Sequence, residues 1–168
     1  MSDQIIMGID PGTAITGYGI VSKGPKGLSL IDFGVIRPPT KFTLSHRYKI
    51  IFEGIKTLVD KYPLDSIAIE TQFVHPRNPK VAITLGMARL AATLPAILLG
   101  LAIYEYAPKA VKLAATGIGN ASKQQVQWMI QKYFDLKDLP KPEDAADALA
   151  LAICHSHAYE TSQLPGIF

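Results

Sequence analysis

Ile5-Ile6-Met7-Gly8-Ile9-Asp10-Pro11-Gly12 opens the chain with an apolar run that stops on an acid and a turn. Branched apolar residues bounded by Pro-Gly predict a buried strand over residues 5–9. The run from Thr16 to Lys23 predicts a second strand, Gly24-Pro25-Lys26-Gly27 a turn, and Leu28 to Ile36 a third, ended by Pro38-Pro39. These three form an antiparallel run. Ser66-Ile67-Ala68-Ile69-Glu70 repeats the opening pattern, an apolar strand ending on an acid, and Ile103 to Ala107 predicts the fifth strand. Between them, Leu44, Tyr48, Ile51, Ile55, Leu58, Val59 and Tyr62 keep helical spacing up to Pro63. Pro79 opens a second helix carrying Val81, Leu85, Ala88 and Ala92. A short helix opens at Pro108, the loop Gly117-Ile118-Gly119 follows, and helices are predicted from about Ser122 to Phe134 and from near Pro142 to about His157. Such an order implies an α/β fold, a mixed five-stranded sheet with helices on both faces.

The chain of 168 residues suits one domain, residues 1–158, with 159–168 as a flexible C-terminal tail. A hydrophobic content of 48% with 18% charged residues excludes global disorder. The one cysteine, Cys154, lies in an apolar run and predicts a buried thiol in a reducing cytoplasm. Asp3 and the early strand leave no basic segment or cleavage site of a signal peptide. The uncharged run Leu90 to Tyr104 contains Pro95 and falls short of the roughly 20 residues a membrane span needs, so a soluble cytoplasmic protein is expected.

Acids carry the chemistry. In sheets with helices on both faces, ligands gather at the carboxyl ends of central strands, where Asp10 and Glu70 are expected. Pro142-Glu143-Asp144-Ala145-Ala146-Asp147-Ala148-Leu149 adds two carboxylates three residues apart in a helix-forming run. At that spacing they share one helix face and repel, at a cost that an apolar neighbourhood raises. The bland alternative is two solvated acids on an outer face. Four acids at one place instead point to a metal-dependent site. The net charge is +3, and with those four neutralised the remainder is strongly basic, which suits a polyphosphate substrate.

The ordered fragments Gly8-Ile9-Asp10-Pro11-Gly12-Thr13 with Thr16-Gly17-Tyr18-Gly19, Ala68-Ile69-Glu70-Thr71-Gln72-Phe73, Leu85-Gly86-Met87-Ala88-Arg89, Glu105-Tyr106-Ala107, Val111-Lys112, Gly117-Ile118-Gly119 with Lys123, and Asp144-Ala145-Ala146-Asp147-Ala148-Leu149 resemble the RuvC family of Holliday-junction resolvases. They span roughly residues 5–157. The resemblance implies a ribonuclease-H-like fold and a homodimer that nicks two strands of a four-way DNA junction symmetrically, in recombination and repair. It implies Mg²⁺, two ions per site with Mn²⁺ able to substitute, held by Asp10, Glu70, Asp144 and Asp147. Some relatives place a histidine at the position of Asp144.

The resemblance further implies catalytic roles for Lys112 and Lys123 against phosphate, with Lys123 entering a helix after a glycine loop, where backbone N–H groups attract anions. Phe73 would stack on an unpaired base near the junction centre, unless it is folded into the core. Thr13, Arg77 and Gly119 are further candidate DNA contacts. Residues 74–78, with His75-Pro76, depart from the family pattern. His155 and His157 stand two apart, a poor spacing for one-face metal binding, and read as ordinary residues of a helix end. Part of the helix from Pro79, with small residues at Ala82, Gly86, Ala91 and Ala92, packs either on the chain's own sheet or in the dimer interface that the family implies. A branch-migration helicase complex is the implied protein partner. Two rival readings stand: the phosphate loop of actin-like ATPases and sugar kinases, which needs a second domain, and a junction-binding protein without nuclease activity.

Overall fold

In the computed structural model, residues 3–71 and 78–161 are described, with side chains to Ala158. Strands β1 (Gln4–Asp10), β2 (Thr16–Gly24) and β3 (Gly27–Ile36) precede helix α1 (Leu44–Lys61) and strand β4 (Ser66–Glu70). Helix α2 (Pro79–Leu98), strand β5 (Ala102–Tyr106) and helices α3 (Pro108–Thr116), α4 (Lys123–Tyr133) and α5 (Glu143–Thr161) follow. The sheet order is β3-β2-β1-β4-β5. β1–β2 and β2–β3 are antiparallel, while β1–β4 and β4–β5 are parallel. The predicted elements are all present. α5 runs past the expected end near His157 to Thr161, so the expected tail overlaps the helix, and 162–168 lie outside the described residues.

Side-chain alternation along β1 divides the core into two layers. Ile6 faces α3, α4 and α5, packing with Val111, Val126, Ile130 and Leu149. Met7 and Ile9 face α1 and α2, packing with Ile51, Ile55, Ala88 and Ala92. Cys154 is buried, as expected, and burial pushes its thiol up to about 11.

α5 lies unusually close to the sheet. A Cβ on Gly8 would come within 1.9 Å of the Ala148 carbonyl oxygen, and one on Gly17 within 2.0 Å of the Asp144 carbonyl oxygen. Gly8 pairs with Gly19 across β1–β2, so a glycine floor underlies the helix. The facing residues Ala145, Ala148 and Ala152 are fully buried. The alanine richness that promotes the helix is thus also what allows its backbone to rest on the strands.

α2 departs from the expected absence of a membrane-length segment. By length and composition it could cross a membrane, although it carries Lys80 and Arg89. Its inner side packs on α1 and the sheet through Ala88, Ala92 and Ala96. Its outer side exposes Ile83, Met87, Leu90 and Ile97, with Leu94 half-buried.

Candidate active site

Asp10 ends β1 and points to the same face as Ile6 and Gly8, toward α5. The turn after it is closed by Thr16, whose hydroxyl donates to the Gly12 carbonyl at 3.0 Å, and Arg47 donates to the Thr13 carbonyl. Glu70 ends β4, beside β1 in the parallel pair that runs through Ile9 and Ile69. Thr71 donates both its backbone N–H (2.9 Å) and its hydroxyl (3.0 Å) to the Tyr106 carbonyl, fixing the chain just past Glu70. Asp144 and Asp147 occupy the first two turns of α5, which the glycine floor brings down over Asp10.

A cleft of about 280 Å³ is lined by Asp10, Glu70, Lys112, Lys123, Asp147 and the apolar Val111 and Val126, among others. Three of the four expected acids and both expected lysines therefore line one cavity. Asp144 acts from the margin, through its charge on Asp10 and Asp147. Burial, then the charges of Asp147, Asp144 and Glu70, push Asp10 up to about 7, against the opposing pull of Lys123. Burial and Asp147 raise Glu70, with Lys112 and Lys123 opposing. Asp147 is raised first by burial, and Lys123 opposes this too. The cleft is short of positive charge.

Of the two lysines, Lys123 is the one that pairs with the acids of α5. Its ammonium lies 3.4 Å from Glu143 and 3.5 Å from Asp147, and the Asp147 charge raises its pKa. Ser122 caps α4 by accepting from the Gln125 N–H at 3.2 Å, while Gln125 accepts from the Ser122 N–H at 2.7 Å. One donor of the helix start expected to attract anions is thus already occupied. Among the described residues, no three carboxyl, imidazole or thiol groups converge into a ready chelating cluster. The donor set nevertheless fits a hard divalent cation: carboxylate oxygens only, mutually repelling and partly buried.

Thr13 and Gly119 do not line the cleft. Thr13 sits in the turn held by Arg47, and Gly119 packs over the Lys109 stem, where a Cβ would lie 3.0 Å from Cγ. Phe73, Arg77 and His75 lie outside the described residues. Sequence reasoning missed Glu143 as a partner of Lys123, although its place at the head of the acidic run was visible. It also misread His155, which is not an ordinary helix-end residue. At 1% exposure, its Nε2 bonds the Ser66 hydroxyl at 2.9 Å and its Nδ1 the Tyr106 hydroxyl at 2.6 Å.

Against known proteins, the family model described as crossover junction endodeoxyribonuclease RuvC matches residues 6–155. The RuvC of Protochlamydia amoebophila is 48% identical over 157 residues, covering 93% of each chain. That of Clostridioides difficile is 43% identical over 155 residues, 92% of this chain and 91% of its own. The structure of Thermus thermophilus RuvC in complex with a Holliday junction substrate superposes with a TM-score of 0.87 at 29% identity, covering 98% of this chain and 99% of that one. Matched by that family model over most of its length and by these relatives at 43–48% identity, the chain belongs to the RuvC family of crossover junction endodeoxyribonucleases.

Proposed function

We propose that this protein is a structure-selective nuclease that resolves four-way DNA junctions by paired, symmetric, Mg²⁺-dependent nicks, in recombination and repair in the cytoplasm. The observation that carries the reading is the single cleft that gathers half-buried Asp10 with Glu70 and Asp147, Asp144 acting from its margin, and faces them with Lys112 and Lys123. Asp10, Glu70, Asp144 and Asp147 would hold two Mg²⁺, or Mn²⁺ in their place. Bound there, the ions would polarise a phosphate oxygen and generate a hydroxide nucleophile at neutral pH.

The chain's own groups supply the rest. Val111 and Val126 form an apolar wall that limits water, strengthening each charge interaction inside. Lys123, held at the mouth by Glu143 and Asp147, is free to exchange a carboxylate for a phosphate oxygen and so to stabilise charge developing there. Lys112 lies on the Glu70 side of the cleft and neutralises that flank. Phe73, three residues beyond Glu70, is the proposed base-stacking group, with Arg77, Thr13 and Gly119 as backbone contacts.

Paired nicks need two sites, and α2 supports a homodimer. Ile83, Met87, Leu90, Leu94 and Ile97 recur at alternating steps of four and three, the spacing of a helix seam. Ile83 is 65% and Leu90 54% exposed, an apolar stripe suited to an isologous contact. A branch-migration helicase remains the proposed protein partner.

The test is incubation of mobile-core four-way junction DNA with the protein, with and without Mg²⁺. Symmetric cleavage only with Mg²⁺, abolished by Asp147→Asn while junction binding persists, is expected. A gel shift without cleavage under all conditions would make this a junction-binding protein instead.

A further inference from the structure

Two of the fragments that carry the family resemblance, Leu85-Gly86-Met87-Ala88-Arg89 and Glu105-Tyr106-Ala107, have no part in the cleft. They meet each other. Arg89, on the inner side of α2, places Nη2 2.6 Å from Glu105 Oε1 and donates from Nη1 to the Glu70 carbonyl oxygen at 2.6 Å. Glu105 pairs with Ile69 in the β4–β5 ladder. It therefore stands on the α2 face of the sheet, opposite the cleft. Both side chains are largely shielded, at 18% and 30% exposure.

The tie acts where the pairing of β4 with β1 stops. The β1–β4 ladder ends at Ile9 and Ile69, one residue short of Glu70, and residues 72–77 begin just beyond Thr71. The Glu70 carbonyl, held by Arg89, and the Thr71 N–H, bonded to the Tyr106 carbonyl, belong to one peptide unit, so the backbone is fastened from two directions immediately after Glu70. A planar guanidinium can serve a carbonyl and a carboxylate at once, which an ammonium on a flexible stem does less well. Charge-assisted bonds at such distances are among the stronger ones available.

We propose that Arg89, oriented by Glu105, is a positioning residue: it holds the Glu70 backbone from the far face of the sheet, so that the cleft carboxylate is presented at a fixed place. Arg89 does not itself line the cleft. The proposal rests on the reading of Glu70 as a metal ligand. It makes metal binding depend on a residue of α2, the helix whose outer face carries the apolar seam.

The test measures Mn²⁺ binding to the DNA-free protein by electron paramagnetic resonance, alongside the Mg²⁺ dependence of junction cleavage. Arg89→Met keeps the length of the side chain and removes its donors. It should weaken Mn²⁺ binding about 10-fold and raise the half-saturating Mg²⁺ for cleavage by the same factor, as loss of a group that orients a metal ligand does. Junction affinity should be unchanged, and excess Mg²⁺ should restore turnover. Arg89→Lys should fall between the two, and Glu105→Gln, which still accepts from Arg89, should stay near the parent. An Arg89→Met protein that melts earlier but binds Mn²⁺ and responds to Mg²⁺ as the parent does would overturn the proposal. If Arg89→Met does not fold, Arg89→Lys with parental Mn²⁺ affinity overturns it equally. Glu70→Gln is the separate control: undiminished Mn²⁺ binding there would instead remove Glu70 from the metal site.

Discussion

The two ends of α5 treat buried polar groups in opposite ways. At its C-terminal end, His155 is enclosed and both ring nitrogens are satisfied, by Ser66 of β4 and Tyr106 of β5. Tyr104 stacks on it, with ring centroids 4.4 Å apart. At the N-terminal end, Asp144 and Asp147 crowd Asp10 and Glu70 with Lys123 as the nearby cation. One helix on one sheet thus contributes a closed hydrogen-bond network at one end and only partly relieved repulsion at the other. The closed end stabilises the fold. The strained end is where a ligand of opposite charge can gain binding energy.

The largest effect is expected at the strained end. Asp10→Asn should lower junction cleavage by on the order of 10³-fold, about 4 kcal/mol in the barrier. It should leave the metal-free melting temperature at pH 7.5 unchanged or higher, because it removes a half-buried charge repelled by its neighbours. Cleavage near the parent rate, measured as single-turnover nicking, would mean that the repulsion has no catalytic use. Next comes the floor on which both ends rest. Gly8→Ala sets a methyl against the Ala148 carbonyl oxygen, at 1.9 Å before relaxation. Because that neighbour is backbone and cannot rotate away, a loss of about 3 kcal/mol or more is expected in a denaturant titration. The closed end should lose less. His155→Ala leaves the Ser66 and Tyr106 hydroxyls without their partner and should cost about 2–3 kcal/mol. This loss should appear in the melting temperature, while turnover at saturating Mg²⁺ and 25 °C stays close to the parent.

The smallest effect separates the ends by pH. Asp10 is raised from 3.8 to about 7, so the folded protein holds a proton that the unfolded chain has released, and stability falls as pH rises between those values. His155 is lowered by burial from 6.5 to about 4, so the unfolded chain binds a proton that the fold refuses. Its stabilisation is present above about pH 6.5 and is lost as pH falls toward 4. Between about pH 4.5 and 6.5, Asp10→Asn should tilt melting temperature against pH upward relative to the parent, and His155→Gln should tilt it downward. Parallel curves for all three metal-free proteins would show that neither end titrates as described.

The strained end was legible because its parts are local. Asp10 and Glu70 each close an apolar run, Asp144 and Asp147 stand at helical spacing, and Lys123 follows a glycine loop. The closed end was not. His155 meets partners 89 and 49 residues earlier in the chain, and no local periodicity announces a pairing across that separation. Arg89 with Glu105 escaped for the same reason. The alanines of α5 were visible as helix formers, but that glycines would face them depends on the β1–β2 register, which opposes Gly8 to Gly19. The membrane length of α2 was overlooked because Lys80 and Arg89 break its apolar run into pieces.

The alanine-on-glycine contact also sets the mechanical tolerance of the site. Neither residue has a side-chain torsion to freeze, so docking α5 on β1 and β2 costs little rotamer entropy. A core of leucines can absorb a disturbance by changing rotamers. A carbonyl resting on a glycine Cα has nothing to adjust. The height of Asp144 and Asp147 above Asp10 is thus set by bond lengths and contact radii rather than by the average of many flexible packings. Reacting groups must be held to within roughly 0.5 Å, and a bearing without moving parts meets that demand.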